Sequence, residues 1–365
     1  MKKMMIQHES KYIQFSFTLL IALIGGTIFS VIHMPVPWLL GPMTAVFMIP
    51  KLVKIPLYWP VYIRDTGLLI FGYSIGLSFT KNALVQIVYQ LPMMFIFTFL
   101  MLLVCALMAY FVSRLSGIDY PTILTGSVPG GLSQMVIFAE ETDGIDVTTV
   151  TFLQVIRLLV IIFFIPLLVY SPLFGGDTFG SSAAIVQHGT VNLDHFFPEI
   201  YIYSLVSILF ALIGKKIKSP TPFLLGPIIA TIGLNLTGFH GQALPASLID
   251  ISQIMISVYI GLMMKPEKLK QKGRLLWLAL MSGLVLVSSG LVLSNVLLHI
   301  YDISMTTGFL SLAPGGMDQM GIIAHEVKAN LSFVSGFQMF RLLFIYFAIP
   351  PMLRWVFHKR LKSRI

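Results

Sequence analysis

Residues 127–135 read SVPGGLSQM, and residues 312–320 read LAPGGMDQM. In each string Pro-Gly-Gly stands between apolar stretches. Proline removes a backbone donor, and paired glycines relax helix geometry. Each string therefore predicts a broken helix. That a chain this apolar breaks its backbone twice, in nearly the same words, governs how the rest is read.

The chain has 365 residues, of which 56% are hydrophobic and 11% charged, and its mean hydropathy is +0.88. The apolar residues come in runs of roughly 20, the length of a helix that crosses a bilayer core of ~30 Å. They do not alternate with polar residues as the strands of a membrane barrel do. A polytopic α-helical membrane protein follows. The formal net charge of +9 comes from cations that sit mostly in short loops and at the two ends. That is the pattern of topology signals, not of nucleic-acid contact. Cys105, the single cysteine, lies in an apolar run and reads as a packing residue.

The breaks belong to a duplication. Pro129 and Pro314 are 185 positions apart, and the same offset relates PWLLGPMTA from Pro37 to PFLLGPIIA from Pro222. It also relates Asp65 to Asp250, Gly76 to Gly261, Gln134 to Gln319 and Glu141 to Glu326. After one deletion the offset becomes 184, which aligns Gln154 with Gln338 and Arg157 with Arg341. Agreement at a fixed offset, charged residues included, marks an internal repeat. Candidate spans fall at about 14–33, 37–50, 61–80, 92–113 and 147–170, then at 197–214, 222–236, 246–264, 274–298 and 331–353. The Pro-Gly-Gly segments occupy about 121–140 and 304–327. The expected organisation is an N-terminal segment 1–13, membrane repeats 14–170 and 197–353, a linker 171–196 and a basic tail 354–365.

Lys and Arg favour the cytoplasmic side. Lys2, Lys3 and Lys11 place the N-terminus inside, and Arg354, Lys359, Arg360, Lys362 and Arg364 do the same for the C-terminus. Equivalent loops carry opposite charge: HMPV at 33–36 has no Lys or Arg, whereas KKIKS at 215–219 has three. Lys328 runs against the pattern. The expected fold is all-α: two inverted repeats, each with about five crossing helices and one broken, re-entrant Pro-Gly-Gly hairpin.

In lipid a broken backbone is tolerated only when it is buried in protein or faces water. Two such breaks meeting near mid-membrane follow the site plan of inverted-repeat secondary transporters. The expected substrate contacts are Pro129, Gly130, Gly131, Ser133 and Gln134, with Pro314, Gly315, Gly316, Asp318 and Gln319. Ser133 aligns with Asp318, so the two breaks differ by one carboxylate. Arg157 and Arg341 lie well inside apolar spans, where a charge costs roughly 2.5–3.5 kcal/mol and so needs a partner. They attract an anion, brace the site or form an internal ion pair. Gln154 and Gln338 precede them by three residues and share their helix face. Asp318, Glu141 or Glu326 would carry a coupling H⁺ or Na⁺.

No HExxH, CxxC, G-x-S-x-G, Walker or dinucleotide motif occurs, so the sequence suggests no enzyme, no cofactor and no metal site. The partners to expect are the lipid bilayer, a small-molecule solute and H⁺ or Na⁺, without direct nucleic-acid binding; a homo-oligomer stays open.

PWLLGPMTA with PFLLGPIIA, PGGLSQM with PGGMDQM, and QVIRLL with QMFRLL give the chain its resemblance to the AbrB family of bacterial membrane proteins, over nearly its whole length. One departure is His325, where the first copy has Glu140. Family members carry the labels ammonia monooxygenase or regulator of gene expression, and the resemblance implies a bacterial cytoplasmic membrane protein. The reading from the residues is a secondary transporter of a small polar or anionic solute. The alternatives are a membrane-embedded regulator or sensor without transport and, third, a membrane monooxygenase.

Overall fold

The computed structural model describes residues 2–34, 36–53, 56–130, 132–142, 144–171, 174, 193–239, 241–263 and 273–362. All regular secondary structure among the described residues is helical, with no strand among them. The first half holds α1 (Lys2–Val31), α2 (Pro37–Val53), α3 (Val61–Leu77), α4 (Lys81–Ser116), α5 (Tyr120–Ser127), α6 (Leu132–Glu140) and α7 (Val147–Val169). The second holds α8 (Leu193–Lys216), α9 (Pro222–Leu236), α10 (Ala246–Met263), α11 (Gly273–Ile300), α12 (Met305–Leu312), α13 (Met317–Glu326) and α14 (Leu331–Lys362). The order of long and short helices repeats, as the offset predicts.

Six described helices are long and apolar enough to cross a membrane: Lys11–Val31 of α1, α4, α7, α10, α11 and Leu331–Leu353 of α14. Apolar α2 and α9 are shorter. The 15 residues of α9 rise only ~23 Å, less than the bilayer core. The predicted span 92–113 proves to be the later part of the 36-residue α4, with Pro92 inside the helix. A proline there removes one backbone bond, and the run KNALVQIVYQL before it keeps the helix going. The linker 175–192 and the basic loop 264–272 lie outside the described residues.

Two compact units interleave the halves, one built on α1–α3 with α8–α10, the other on α4–α7 with α11–α14. In the first unit the duplicated LLGP strings place glycines where helices cross. A Cβ on Gly41 of α2 would lie 2.4 Å from Gly25 O and 2.8 Å from Gly26 Cα of α1. A Cβ on Gly226 of α9 would lie 2.5 Å from Ala211 N and 2.9 Å from Phe210 C of α8. Phe210 and Ala211 are the 185-offset equivalents of Gly25 and Gly26. Other contacts are exchanged between halves. A Cβ on Gly76 of α3 would lie 3.1 Å from Ile228 O of α9, and one on Gly261 of α10 would lie 2.7 Å from Met43 O of α2. Ile228 is the equivalent of Met43. A Cβ on Gly67 would lie 3.0 Å from the carbonyl of Ser252, its own equivalent. Equivalent residues of the two halves thus make reciprocal contacts, and Gly67 touches its own counterpart. The Trp59 indole donates to Met255 O at 3.1 Å, closing a core of Ile21, Ala22, Val46, Ile254 and Val258.

The equivalence extends to strained backbone. His33 (φ 53°) and Val36 (φ 49°) before α2 match Lys218 (φ 55°) and Thr221 (φ 42°) before α9. Left-handed backbone costs a residue with a Cβ roughly 1–2 kcal/mol. Lys218→Gly is therefore expected to raise stability by about 0.5–1 kcal/mol, less glycine's own entropy cost. Thermal unfolding in detergent checks this, and a lower melting temperature contradicts it.

In the second unit α5 and α6 pack on α7, α12 and α13 pack on α14, and α11 packs on α7 and α12. A core cluster joins Ile123 and Leu124 of α5 and Val150 of α7 to Ile345, Ile349 and Leu353 of α14. The Phe174 ring, just beyond α7, lies 5.4 Å from that of Phe309 in α12.

Candidate functional site

Both predicted breaks are present, and equivalent residues build them. After α5 the chain turns extended at Val128 (φ −61°, ψ 128°), and Gly130 N–H donates to Val128 O at 2.8 Å. After α12 it does the same at Ala313 (φ −53°, ψ 132°), with Gly315 N–H donating to Ala313 O at 2.8 Å. A helix that stops abruptly leaves its last carbonyls without intrahelical donors. Around α5 and α12 these carbonyls belong to buried residues, among them Thr125, Val128, Ser311, Leu312 and Ala313.

The Gln-x-x-Arg pairs supply the missing donors. Gln154 Nε2 donates to Thr125 O at 3.2 Å and to Val128 O at 3.1 Å. Arg157 Nη1 donates to Ser127 O at 3.1 Å and to Val128 O at 2.6 Å, and its Nη2 to Gln154 Oε1 at 2.5 Å. In the second half Gln338 Nε2 donates to Leu310 O at 2.7 Å and to Ala313 O at 3.1 Å. Arg341 Nη1 donates to Leu312 O at 3.2 Å, and its Nη2 to Gly315 O at 2.9 Å and to Gln338 Oε1. Leu310, Leu312 and Ala313 are the equivalents of Thr125, Ser127 and Val128. Each arginine thus braces the C-terminal end of a half-helix. Both are only 5% exposed.

The electrostatics leave a surplus. A helix C-terminus carries a partial charge of roughly −0.5, about half of what each guanidinium brings. An ion pair joins Arg64 to its neighbour Asp65 at 2.5 Å, away from both buried arginines. The first break also packs on the helix that carries Arg341, through Gly130 against Ile345.

A second set of equivalent bonds ties each broken segment at its entrance. Thr122 Oγ1, in the first turn of α5, accepts from Asp146 N at 3.2 Å just before α7. Thr307 Oγ1, in the first turn of α12, accepts from Asn330 N at 3.1 Å just before α14. Sequence reading missed these threonines and the carbonyl partners of the arginines. The 185-residue offset of Thr122 from Thr307 is the signal that points to the former.

Beyond the second break, Gly316 caps α13 and its N–H donates to Gln319 Oε1 at 3.0 Å. A Cβ on Gly316 would lie 2.5 Å from Asp318 Oδ1, so the carboxylate curls over the start of α13. Gly130 packs against Ile345 of α14 and Met135, and Gly315 against Met320. Pro129 and Pro314 occupy the turns. Gly131, and the side chains of Ser133 and Gln134, lie outside the described residues. Glu141 follows α6, and Glu326 ends α13, a helix length of ~14 Å from the break; Glu326 is instead within electrostatic reach of Tyr170 at the end of α7. Among the candidate carboxylates, Asp318 alone adjoins a break. No cluster of three or more His, Cys, Asp or Glu able to hold a metal occurs among the described residues.

Buried broken helices, each braced by a Gln-Arg pair within a duplicated bundle of apolar helices, define the chain as a polytopic helical membrane protein. Residues 38–357 match the family described as Transition state regulatory protein AbrB, and the chain belongs to that family. It is 26% identical over 348 residues to an Escherichia coli (strain K12) protein named AbrB and labelled a regulator, covering 94% of this chain and 97% of that one. It is 24% identical over 353 residues to the "Uncharacterized protein YhjN" of Bacillus subtilis (strain 168), covering 92% and 91%.

Proposed function

We propose that the chain is a secondary transporter of a small polar or anionic solute, coupled to H⁺ or Na⁺, in the bacterial cytoplasmic membrane with both termini inside. The observation that carries this reading is the pair of buried, equivalent breaks whose arginines are held, among the described residues, by carbonyls and not by carboxylates. The surplus positive charge suits an anion, and broken helices at depth are how transporters place backbone groups at a substrate.

Two features support re-entrant hairpins set upside down to one another. The 8 and 10 residues of α12 and α13 would run ~27 Å end to end. Residues 327–330 reach at most ~14 Å, yet Asn330 bonds Thr307 at the start of α12. Turning back at Pro-Gly-Gly satisfies both. The late part of α14 packs near the early parts of α5 and α7, while Phe174, just beyond α7, meets Phe309 of α12. Such packing supports antiparallel halves.

On this reading Asp318, beside the break, carries the coupling ion, and no catalytic residue is assigned. Protein in proteoliposomes is expected to accumulate a small anion from a metabolite panel only under an imposed H⁺ or Na⁺ gradient. Asp318→Asn should cut gradient-driven uptake at least tenfold while leaving counterflow exchange. A panel with no gradient-dependent uptake would discard the proposal. The label of the Escherichia coli relative favours a second reading, a membrane-embedded regulator. Under it, removing 354–365 without harming insertion abolishes the effect on gene expression; a transporter keeps its flux.

A further inference from the structure

The two arginines are equivalent in sequence and in their carbonyl partners, but not in what lies beside them. Arg157 Nε is buried and makes no hydrogen bond among the described residues. Arg341 lines a cleft formed with Phe97, Thr98 and Met101 of α4, Leu293 of α11, Leu312 of α12 and Phe337 of α14. The Ser311 hydroxyl also reaches the wall and donates to Thr307 O at 2.6 Å. At the site equivalent to Ser311, Leu153 packs over Gly126, its Cδ1 2.6 Å from where a Cβ would stand.

The hydrogen bonds of Arg341 decide what the cleft can hold. A guanidinium grips a carboxylate through two parallel N–H groups, either Nη1 with Nη2 or Nε with Nη2. Both arrangements need a free hydrogen on Nη2. Here Nη2 already serves Gly315 O and Gln338 Oε1. What remains is one hydrogen on Nη1 and one on Nε, which diverge. Such donors suit a point-like acceptor and not a two-oxygen fork. The space agrees: the cleft has room for about one particle near the size of a water molecule. Thr98 adds a donor. The helical threonines Thr44, Thr66 and Thr125 give their hydroxyls to the carbonyl four residues back. Thr98 is buried and makes no such bond among the described residues.

We infer that the cleft between Thr98 and Arg341 is a binding site for one small monovalent anion of halide size. The anion takes a guanidinium N–H and the Thr98 hydroxyl, against apolar walls that keep out larger solutes. It balances charge that the half-helix ends leave uncompensated. This concerns binding alone and is independent of transport.

The test is thermal unfolding of the full-length protein in detergent, titrated with sodium chloride against sodium gluconate at constant ionic strength. Chloride should raise the melting temperature with saturation, and gluconate should not. Thr98→Val should weaken the apparent chloride affinity about tenfold or more, since it removes a hydrogen bond to an ion, while Thr98→Ser keeps it. Should the valine variant fold poorly, Leu293→Phe fills the cleft and should abolish the response. Equal stabilisation by gluconate, a response unchanged in both Thr98→Val and Leu293→Phe, or tighter binding of acetate than of chloride overturns the inference. A negative flux screen has no bearing on it.

Discussion

Arg157→Leu is expected to destabilise the folded protein by about 3–5 kcal/mol, the range for removing one partner of a buried charged network. Leucine removes three donor contacts at once, to Ser127 O, Val128 O and Gln154 Oε1. The carbonyls left behind are buried and sit at the negative end of a helix, where no water takes over. Gln154→Leu alone should cost less, because Arg157 still reaches Val128 O. The double variant should cost clearly less than the sum, since the glutamine oxygen and the arginine satisfy each other. Unfolding midpoints of the two single variants and the double variant in detergent measure this. Strict additivity would mean that the two side chains do not act as one brace. Lysine in place of Arg157 should recover only part of the loss, because it restores the charge without the planar array of donors.

The other large effect lies at the helix crossings of the first unit. Gly41→Leu and Gly226→Leu should each eliminate monodisperse protein on size exclusion. A Cβ alone would stand 2.4–2.5 Å from backbone atoms of the neighbouring helix, and backbone cannot rotate out of the way. Even alanine should cost at least the ~1–3 kcal/mol of an overpacked core. Gly233→Ala is the control. No atom lies within 4 Å of a Cβ there, so it should be neutral or stabilising by up to about 1 kcal/mol. Equal behaviour of Gly41→Ala and Gly233→Ala would refute close packing through LLGP.

Much of this was legible in the sequence because the chain states its plan twice. The Pro-Gly-Gly strings located both breaks, since proline and glycine act through local backbone chemistry. The aligned Gln-x-x-Arg strings placed two charges on interior helix faces. What the arginines touch was not legible. Their partners are main-chain carbonyls, which carry no residue-specific signal, so ion pairing with an acidic side chain looked as reasonable as bracing. The 36-residue span of α4 was hidden by Pro92, which looks like a boundary in one dimension and is absorbed inside a long helix in three. The contrast between Arg157 and Arg341 was hidden as well, because it depends on Leu153 covering Gly126 and on a threonine more than 200 positions away from Arg341.

The interleaving of the halves bears on how such a protein can be made and inherited. Neither compact unit is encoded by a contiguous stretch, so a polypeptide ending near residue 170 would carry incomplete portions of both and leave bare the surfaces that its missing sister should cover. A half-length chain would need two molecules to complete either unit, whereas the duplicated chain supplies both portions in fixed equal stoichiometry.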